Sequence, residues 1–244
     1  KSLNHWIASG GYQPQSRESI LIPIAMHVVR YDDGSHDVED SNIQAQIDVL
    51  NAGLATHNFQ FELISIDRTD NTSWSTHAYG DIAEEDAMKS ALAIDPISTF
   101  NFYLCDLQDG LLGYATFPFM YSEDSYMHGV VLHSESIPGG TLPPAYSTGD
   151  VGIHEAGHYI GLYHTFQGGC VEPGDEVDDT PYSAEPNWGC PEGLDSCPQE
   201  GLDPIHNYMD YSDGQCMDHF TPGQGERAHS LMSLYKPTMY ANTA

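Results

Sequence analysis

Residues 154–168 read His-Glu-Ala-Gly-His-Tyr-Ile-Gly-Leu-Tyr-His-Thr-Phe-Gln-Gly, and no other stretch restricts the fold as tightly. Residues four apart on a helix stack almost above one another, about 6 Å along the axis. His154 and His158 therefore present two imidazoles on one face, with Glu155 one step round. Gly161 offers a helix stop, because glycine accepts the left-handed conformation of a C-terminal cap. Beyond that stop the chain can swing His164 back toward the same point. Three neutral imidazoles with a fourth position open make the zinc arrangement that performs chemistry. The alternative is three surface or capping histidines on an amphipathic helix. The glycine and the third histidine at these spacings weigh against it.

The net charge is −29, from 36 acidic and 7 basic residues. Such a field repels nucleic acid and anionic membranes and attracts cations. Three readings of it stay open: solubility in a salty setting, calcium binding, or self-protection of a protease that cuts at Lys or Arg. The longest apolar run, Ile20–Val29, holds Pro23 and His27 and is too short to span a bilayer. No signal peptide is visible at Lys1, so secretion would imply an export signal upstream. Of five cysteines, Cys170, Cys190, Cys197 and Cys216 fall within a loop-rich stretch of 47 residues. Without any Cys-x-x-Cys they read as two disulfides rather than a second zinc site, and thus as an oxidising compartment. Four cysteines allow three connectivities. Cys105 follows the apolar run Phe100–Leu104 and reads as a buried free thiol.

With 244 residues the chain suits one large domain or two joined subdomains. Residues 1–19 read as a polar surface arm, 20–162 as a sheet-and-helix portion carrying the zinc helix, and 163–244 as a loop-rich C-terminal portion. Ile20–Tyr31 should be a strand buried on both faces. Ser41–His57, capped by Asp40 or Ser41, should be a helix with Ile43, Ile47, Leu50 and Leu54 inward. Phe59–Asp67 reads as a strand with Phe59, Phe61 and Leu63 on one face and Ile64 and Ile66 on the other. Thr69–Tyr79 reads as loop. Ala83–Ala93 reads as a short helix with Ala87, Met88 and Leu92 inward. Strands follow at Asn101–Leu107, Leu111–Phe117 and Val130–His133. The zinc helix should begin near Ser147–Asp150, capped by Ser147, Thr148 or Asp150. Thr221 should cap a last helix over Thr221–Tyr235 with Pro222 in its first turn. The whole is an α/β layer backed by the zinc helix.

The chemistry follows from the residues. Zinc lowers the pKa of a bound water, and Glu155 stands one step away to take its proton and pass it to the leaving amine. The His-Glu-x-x-His-x-x-Gly-x-x-His pattern is the metzincin signature. Downstream, Asn207-Tyr208-Met209-Asp210-Tyr211 looks like the Met-turn that underlies the histidines in metzincins, where Met209 alone would pass for core. With His-Thr-Phe-Gln-Gly and Gly-Asp-x-Val-x-Asp-Thr-Pro at 174–181, the chain resembles the pappalysin family of secreted metzincin proteases, and its ulilysin-like members above all. The resemblance is clear over residues 111–235, weaker over 20–110 and absent before them.

That resemblance implies a metzincin-like catalytic domain of α/β (α+β) type, with a twisted mixed sheet, a backing helix and an active-site helix. A disulfide-stapled C-terminal subdomain would follow. It implies His154, His158 and His164 as zinc ligands, Glu155 as general base and Tyr211 as a hydroxyl near the metal or the oxyanion. For Tyr211 the alternative is a buried tyrosine with a satisfied hydroxyl. It implies pairs Cys170–Cys197 and Cys190–Cys216. It also implies a calcium loop with Asp175, the carbonyl of Val177 and Thr180, to which Asp178 and Asp179 could add charge. A solvated acidic loop is the alternative. One departure concerns specificity. Relatives that prefer a basic residue after the scissile bond carry a carboxylate before the last cysteine, where this chain has Gln215. A neutral amide cannot pair with Arg or Lys, which leaves Asp213 or Asp218 as the alternative carboxylate for the pocket.

The expected function is a secreted, monomeric zinc endopeptidase acting on proteins or peptides, with zinc and calcium as cofactors and neither nucleic acid nor membrane as partner. Substrate would lie along an edge strand near Leu111–Phe117. The alternative is a catalytically silent binding module that kept the fold. Retention of Glu155 speaks against that reading.

Overall fold

Branched apolar residues alternate through Ile20–Arg30 and build β1, the second strand of a five-stranded sheet. The computed structural model describes residues 19–242, so the surface arm read over residues 1–19 lies outside them but for Ser19. In chain order β1 is followed by α1 (Asp40–Leu54), β2 (Phe59–Asp70), α2 (Ile82–Leu92), β3 (Phe100–Cys105), β4 (Gly113–Ala115) and β5 (Val130–His133). Then come α3 (Asp150–Tyr159) and α4 (Pro222–Tyr235), and a short helical turn, Pro237–Tyr240, ends the described chain. The sheet order is β2-β1-β3-β5-β4, with β4 alone antiparallel and at the edge. Pro23, which lacks a ladder donor, sits just before β3 joins β1 at the Ile24–Phe100 pair.

Helices α1 and α3 cover one face of the sheet. Ile43, Ile47, Leu50 and Leu54 of α1 join Ile22, Ile24, Phe100, Phe102, Ile153 and Tyr159 in the main core. That core continues without a break into Met209, Phe220, Ala228 and Met232, so the C-terminal portion is packed into the same apolar cluster. Gln46, fully buried, donates to the Gly149 carbonyl at 3.0 Å and ties α1 to the start of α3. The opposite face carries a smaller cluster of Val29, Met88, Tyr103, Cys105 and Tyr114 under α2.

Several local expectations are corrected. Neither Asp40 nor Ser41 caps α1: Glu39 stands at the N-cap and no side chain bonds there. β2 runs on to Asp70, and Thr72–Ser75 forms a helical turn capped by the Asn71 side chain, where loop was expected. A register shift between Ile24 and Ala25 skips Ile64. The bulge reverses the alternation, so Ile66 packs on the main core beside Leu63 while Ile64 is 48% exposed. In α2, Ala87 is exposed and Lys89 turns inward, with Nζ on Glu85 at 2.6 Å and on the Met127 carbonyl at 3.0 Å. β3 ends at Cys105 and β4 is three residues long, both shorter than read. The N-cap of α3 is Gly149, at φ +95°, and neither Ser147, Thr148 nor Asp150 caps it. Thr221 does cap α4, in a reciprocal box with Gln224.

Between Tyr159 and Gly214 the chain holds no helix or strand. Disulfides join Cys170 to Cys197 and Cys190 to Cys216, the pairing that the resemblance implied, and Cys105 is buried and free. Asn207 and Gln224 exchange side-chain hydrogen bonds at 2.7 and 3.1 Å in the interior, which fastens the segment before Met209 to α4.

Candidate metal centre

The α3 helix stops where its spacing said it would. Gly161 takes φ +107°, its amide bonds back to the His158 carbonyl at 3.0 Å, and Leu162 bonds to Gly157 at 2.9 Å. The chain then reverses and brings His164 over the helix. His154 Nε2 and His158 Nε2 lie 3.1 and 3.0 Å from His164 Nε2. Among the described residues these three form the metal-capable cluster.

Their outer nitrogens decide the tautomer. His154 Nδ1 lies 2.7 Å from the Tyr208 carbonyl, and His158 Nδ1 lies 2.8 Å from that of Leu162. A carbonyl only accepts, so each Nδ1 carries the proton and each Nε2 of a neutral ring is a bare lone pair. Burial keeps the rings neutral: His154 is held down at about 4, His164 at about 3 by burial and then by His154, and His158 well below the usual range. Bare lone pairs at such distances repel unless a cation sits among them. Tetrahedral zinc with bonds of 2.0–2.1 Å sets its ligand nitrogens about 3.3 Å apart, within a few tenths of an ångström of the observed spacing. The donor set fits zinc.

Glu155 points into the same space. It is 5% exposed, its Oε2 has no hydrogen-bond partner, and burial raises its carboxyl to about 8. An adjacent cation opposes that rise. Gly113 of β4 makes room for it: a Cβ there would meet Glu155 Cγ at 3.0 Å and Oε1 at 3.2 Å. Met209 is fully buried against α3, its Sδ occupying the space a side chain at Gly157 would need. The turn around it supports two of the three imidazoles. The Tyr208 carbonyl accepts a hydrogen bond from the His154 Nδ1–H, and the Met209 carbonyl accepts from the Thr165 amide, next to His164, at 3.1 Å.

Tyr211 follows that turn. Its ring lies 4.8 Å from His164 and 5.5 Å from His154, and burial and then Glu155 raise its phenol. Two cavities, of about 380 and 490 Å³, flank the centre, and Gly113, His154, Glu155 and Tyr211 line both. They follow β4, whose outer edge is unpaired among the described strands.

The acidic loop is arranged less simply than its sequence suggested. Asp175 and Thr180 are buried with their side chains facing each other; Asp175 Oδ1 accepts from the Val177 amide at 3.1 Å, while Asp175 Oδ2 and Thr180 Oγ1 make no well-formed hydrogen bond. Burial raises Asp175 to about 7. Two orphaned buried oxygens beside the half-buried Val177 fit a hard cation. Asp178 and Asp179 are exposed, and Asp179 is turned away to accept from the Gly223 amide at the start of α4. Arg227 bridges the two regions: it donates to the Gly161 carbonyl at 3.1 Å and to Glu176 at 2.8 Å, and lies over the Tyr163 ring.

Gln215 does not reach the cleft. It is exposed on the turn Gly214–Cys216, and neither it, Asp213 nor Asp218 lines either of the two cavities at the centre. The turn directs its side chain to solvent, while Ser212 and Met217 on either side face the cavity. Sequence reading also missed Gly113, Asp210 and Trp188. Asp210 is 1% exposed and holds the Asn187 amide and side chain, at 3.0 and 2.7 Å, and the Tyr211 amide at 2.8 Å. Its place between Met209 and Tyr211 was the available signal. Gly113 and Trp188 carried none.

The family model for pregnancy-associated plasma protein-A, a peptidase family, matches residues 84–233. The extracellular metalloprotease of Verticillium alfalfae is 42% identical over 229 residues, covering 91% of this chain and 78% of that protein. Its counterpart in Pyricularia oryzae is 40% identical over 234 residues, covering 94% and 81%. Among solved structures, mature mirolysin of Tannerella forsythia in complex with a cleaved peptide has a TM-score of 0.80 at 31% identity, covering 93% of this chain and 97% of that one. A promirolysin mutant has a TM-score of 0.83 at 28% identity, covering 97% and 90%.

Proposed function

This chain belongs to the pregnancy-associated plasma protein-A (pappalysin) family of metallopeptidases, and from that premise we propose a zinc-dependent endopeptidase with Glu155 as its general base. The observation that carries this reading is the meeting of three imidazole nitrogens with the unpartnered Glu155 carboxylate between two cavities. His154, His158 and His164 would hold zinc, which when bound would supply a Lewis acid able to acidify water and polarise a carbonyl. Glu155 Oε2 takes the proton of the attacking water and delivers it to the departing amine nitrogen. The Tyr211 hydroxyl donates to the oxygen that gains charge. The free edge of β4 binds the substrate backbone as an added strand, which favours an extended segment of a protein or peptide. Mirolysin solved with a cleaved peptide supports that substrate class.

Calcium is the second cofactor we propose, held by Asp175, Thr180 and the Val177 carbonyl; the unpartnered Asp175 and Thr180 oxygens support it. Secretion is supported by relatives named extracellular and by two disulfides. No helix among the described residues is long and apolar enough to cross a membrane. We propose a monomer acting on soluble polypeptide.

The test is hydrolysis of casein and of quenched peptides by Glu155→Ala and Glu155→Gln. Both should keep one zinc per chain and lose at least about a hundredfold in kcat/KM. A zinc-loaded Glu155→Ala enzyme with undiminished turnover would remove Glu155 from the mechanism.

A further inference from the structure

Leu111, Leu112, Tyr146, Val151, Trp188 and Met217 bring the large apolar side chains that line the smaller cavity, of about 380 Å³, beside the residues of the metal centre. Five of these are half-buried, so each leaves apolar surface facing the cavity, and Trp188 is 64% exposed at 5.3 Å from Tyr211. A cavity of this kind gains most from a ligand that removes apolar surface from water.

Charge around it points the same way. The carboxylates that line it are Glu155 and Asp210. Glu155 belongs to the metal centre. Both oxygens of Asp210 are engaged, by two bonds from Asn187 and one from the Tyr211 amide, and the group is buried. Asp218 is exposed and paired with His219, Gln215 faces solvent, and Asp150 accepts from Thr148 behind Gly214. A Lys or Arg entering here would lose water and meet no free carboxylate of its own, which is unfavourable for an ion.

We propose that this cavity is a selectivity pocket for one of the two residues directly flanking the scissile bond. It takes a branched aliphatic or aromatic side chain and rejects a basic one, with Met217 and Val151 setting the size limit. The inference rests on the proteolytic reading above and departs from the basic-residue preference of ulilysin-like relatives. Met217 follows the Cys190–Cys216 disulfide and Val151 lies in the first turn of α3, so the pocket spans two anchored elements.

The experiment is a quenched-peptide library varied at both flanking positions, cleaved by the full chain supplied with zinc and calcium. At one position Leu, Phe or Met should exceed Lys and Arg by at least about tenfold in kcat/KM, the scale on which a hydrophobic pocket discriminates. Met217→Glu should move that position toward Lys and Arg by about tenfold or more and leave the other unchanged. Val151→Ala, which only enlarges the pocket, should shift it from Leu toward Phe, and covers the case that Met217→Glu does not fold. Calorimetric titration of the Glu155→Ala variant should rank the same peptides without turnover, with Leu at least about tenfold tighter than Lys. Cleavage with a basic preference that Asp150→Asn abolishes, or with no preference at either position, overturns the pocket assignment alone. Failure to cleave any peptide removes the proteolytic reading and the pocket together.

Discussion

Replacing Gly161 by Ala isolates the turn that brings His164 back to the candidate metal centre. Two penalties combine there. An L-residue at φ +107° sits in the left-handed region, which costs about 1–2 kcal/mol. The new Cβ would also lie 2.3 Å from Leu231 Cδ1 and 3.1 Å from its Cβ, far inside the 3.5–4.0 Å of ordinary carbon contact. Leu231 is 3% exposed and has little room to yield. Such overpacking costs about 1–3 kcal/mol, while the reduced freedom of the unfolded chain returns about 0.4–1 kcal/mol. The net loss is about 1–4.6 kcal/mol, about 3 kcal/mol at the centre of these ranges. For a domain of this size that lowers Tm by roughly 5–15 °C. Gly80 supplies the control: its φ is +88° and nothing lies within 4 Å of a Cβ there. Gly80→Ala should therefore show the backbone penalty alone, a few degrees at most. Relief of the clash moves the chain that carries His164, so Gly161→Ala should also hold zinc at least about tenfold more weakly, whereas Gly80→Ala binds it as the parent does. Scanning calorimetry of zinc-free and zinc-loaded protein, with zinc competition against a chromophoric chelator, reads both effects. Equal Tm and equal zinc affinity in the two variants would refute the reasoning.

Tyr211→Phe should lower kcat by about tenfold or more with KM nearly unchanged, because a hydroxyl used on the developing oxyanion is missed only in the transition state; a change confined to KM would reassign Tyr211 to substrate binding. Calcium at about a hundred times its Kd should stabilise the wild type by about 2.7 kcal/mol, and Asp175→Asn should abolish that rise in Tm. A rise that persists in the variant would place the ion elsewhere. His128 is buried, and burial and then Lys236 hold its imidazole down at about 4 against an ordinary 6.5. The unfolded chain takes up a proton near 6.5 and the folded chain only near 4. Stability due to this group is thus complete above pH 6.5 and falls as the pH drops to about 4, by about 3 kcal/mol. Chemical denaturation at pH 7 and pH 4.5 should show a smaller acid loss for His128→Asn, and an identical loss would exclude this histidine as a source.

The reading from spacing held best where neighbouring residues decide. His154 and His158 share a face because a helix repeats every 3.6 residues, Gly161 ends a helix by its backbone freedom, and Thr221 begins one through its side-chain oxygen. It failed where a distant partner decides. The phase of Ile64 and Ile66 was set by a bulge against β1, which alternation within β2 cannot reveal. Asp40 and Ser41 had the chemistry of caps, but neither side chain bonds at the start of α1. Lys89 turned inward because Glu85 and the Met127 carbonyl are there to meet its ammonium. The family resemblance supplied the disulfide pairing among three open choices, and it suggested Gln215 for a pocket that the turn at Gly214 keeps it from entering.

Sequence by itself picked out the members of the candidate site: three imidazoles, the carboxylate beside them and the glycine that returns the third ring, since these depend on residue type and on spacing of ten residues or fewer. Tertiary structure decided the surroundings. It laid Gly113 against Glu155, set Met209 beneath α3, satisfied Asp210 and left the space between Val151 and Met217 apolar. Those contacts join residues far apart along the chain, and their energies come from packing and desolvation, which exist only once the chain has closed on itself.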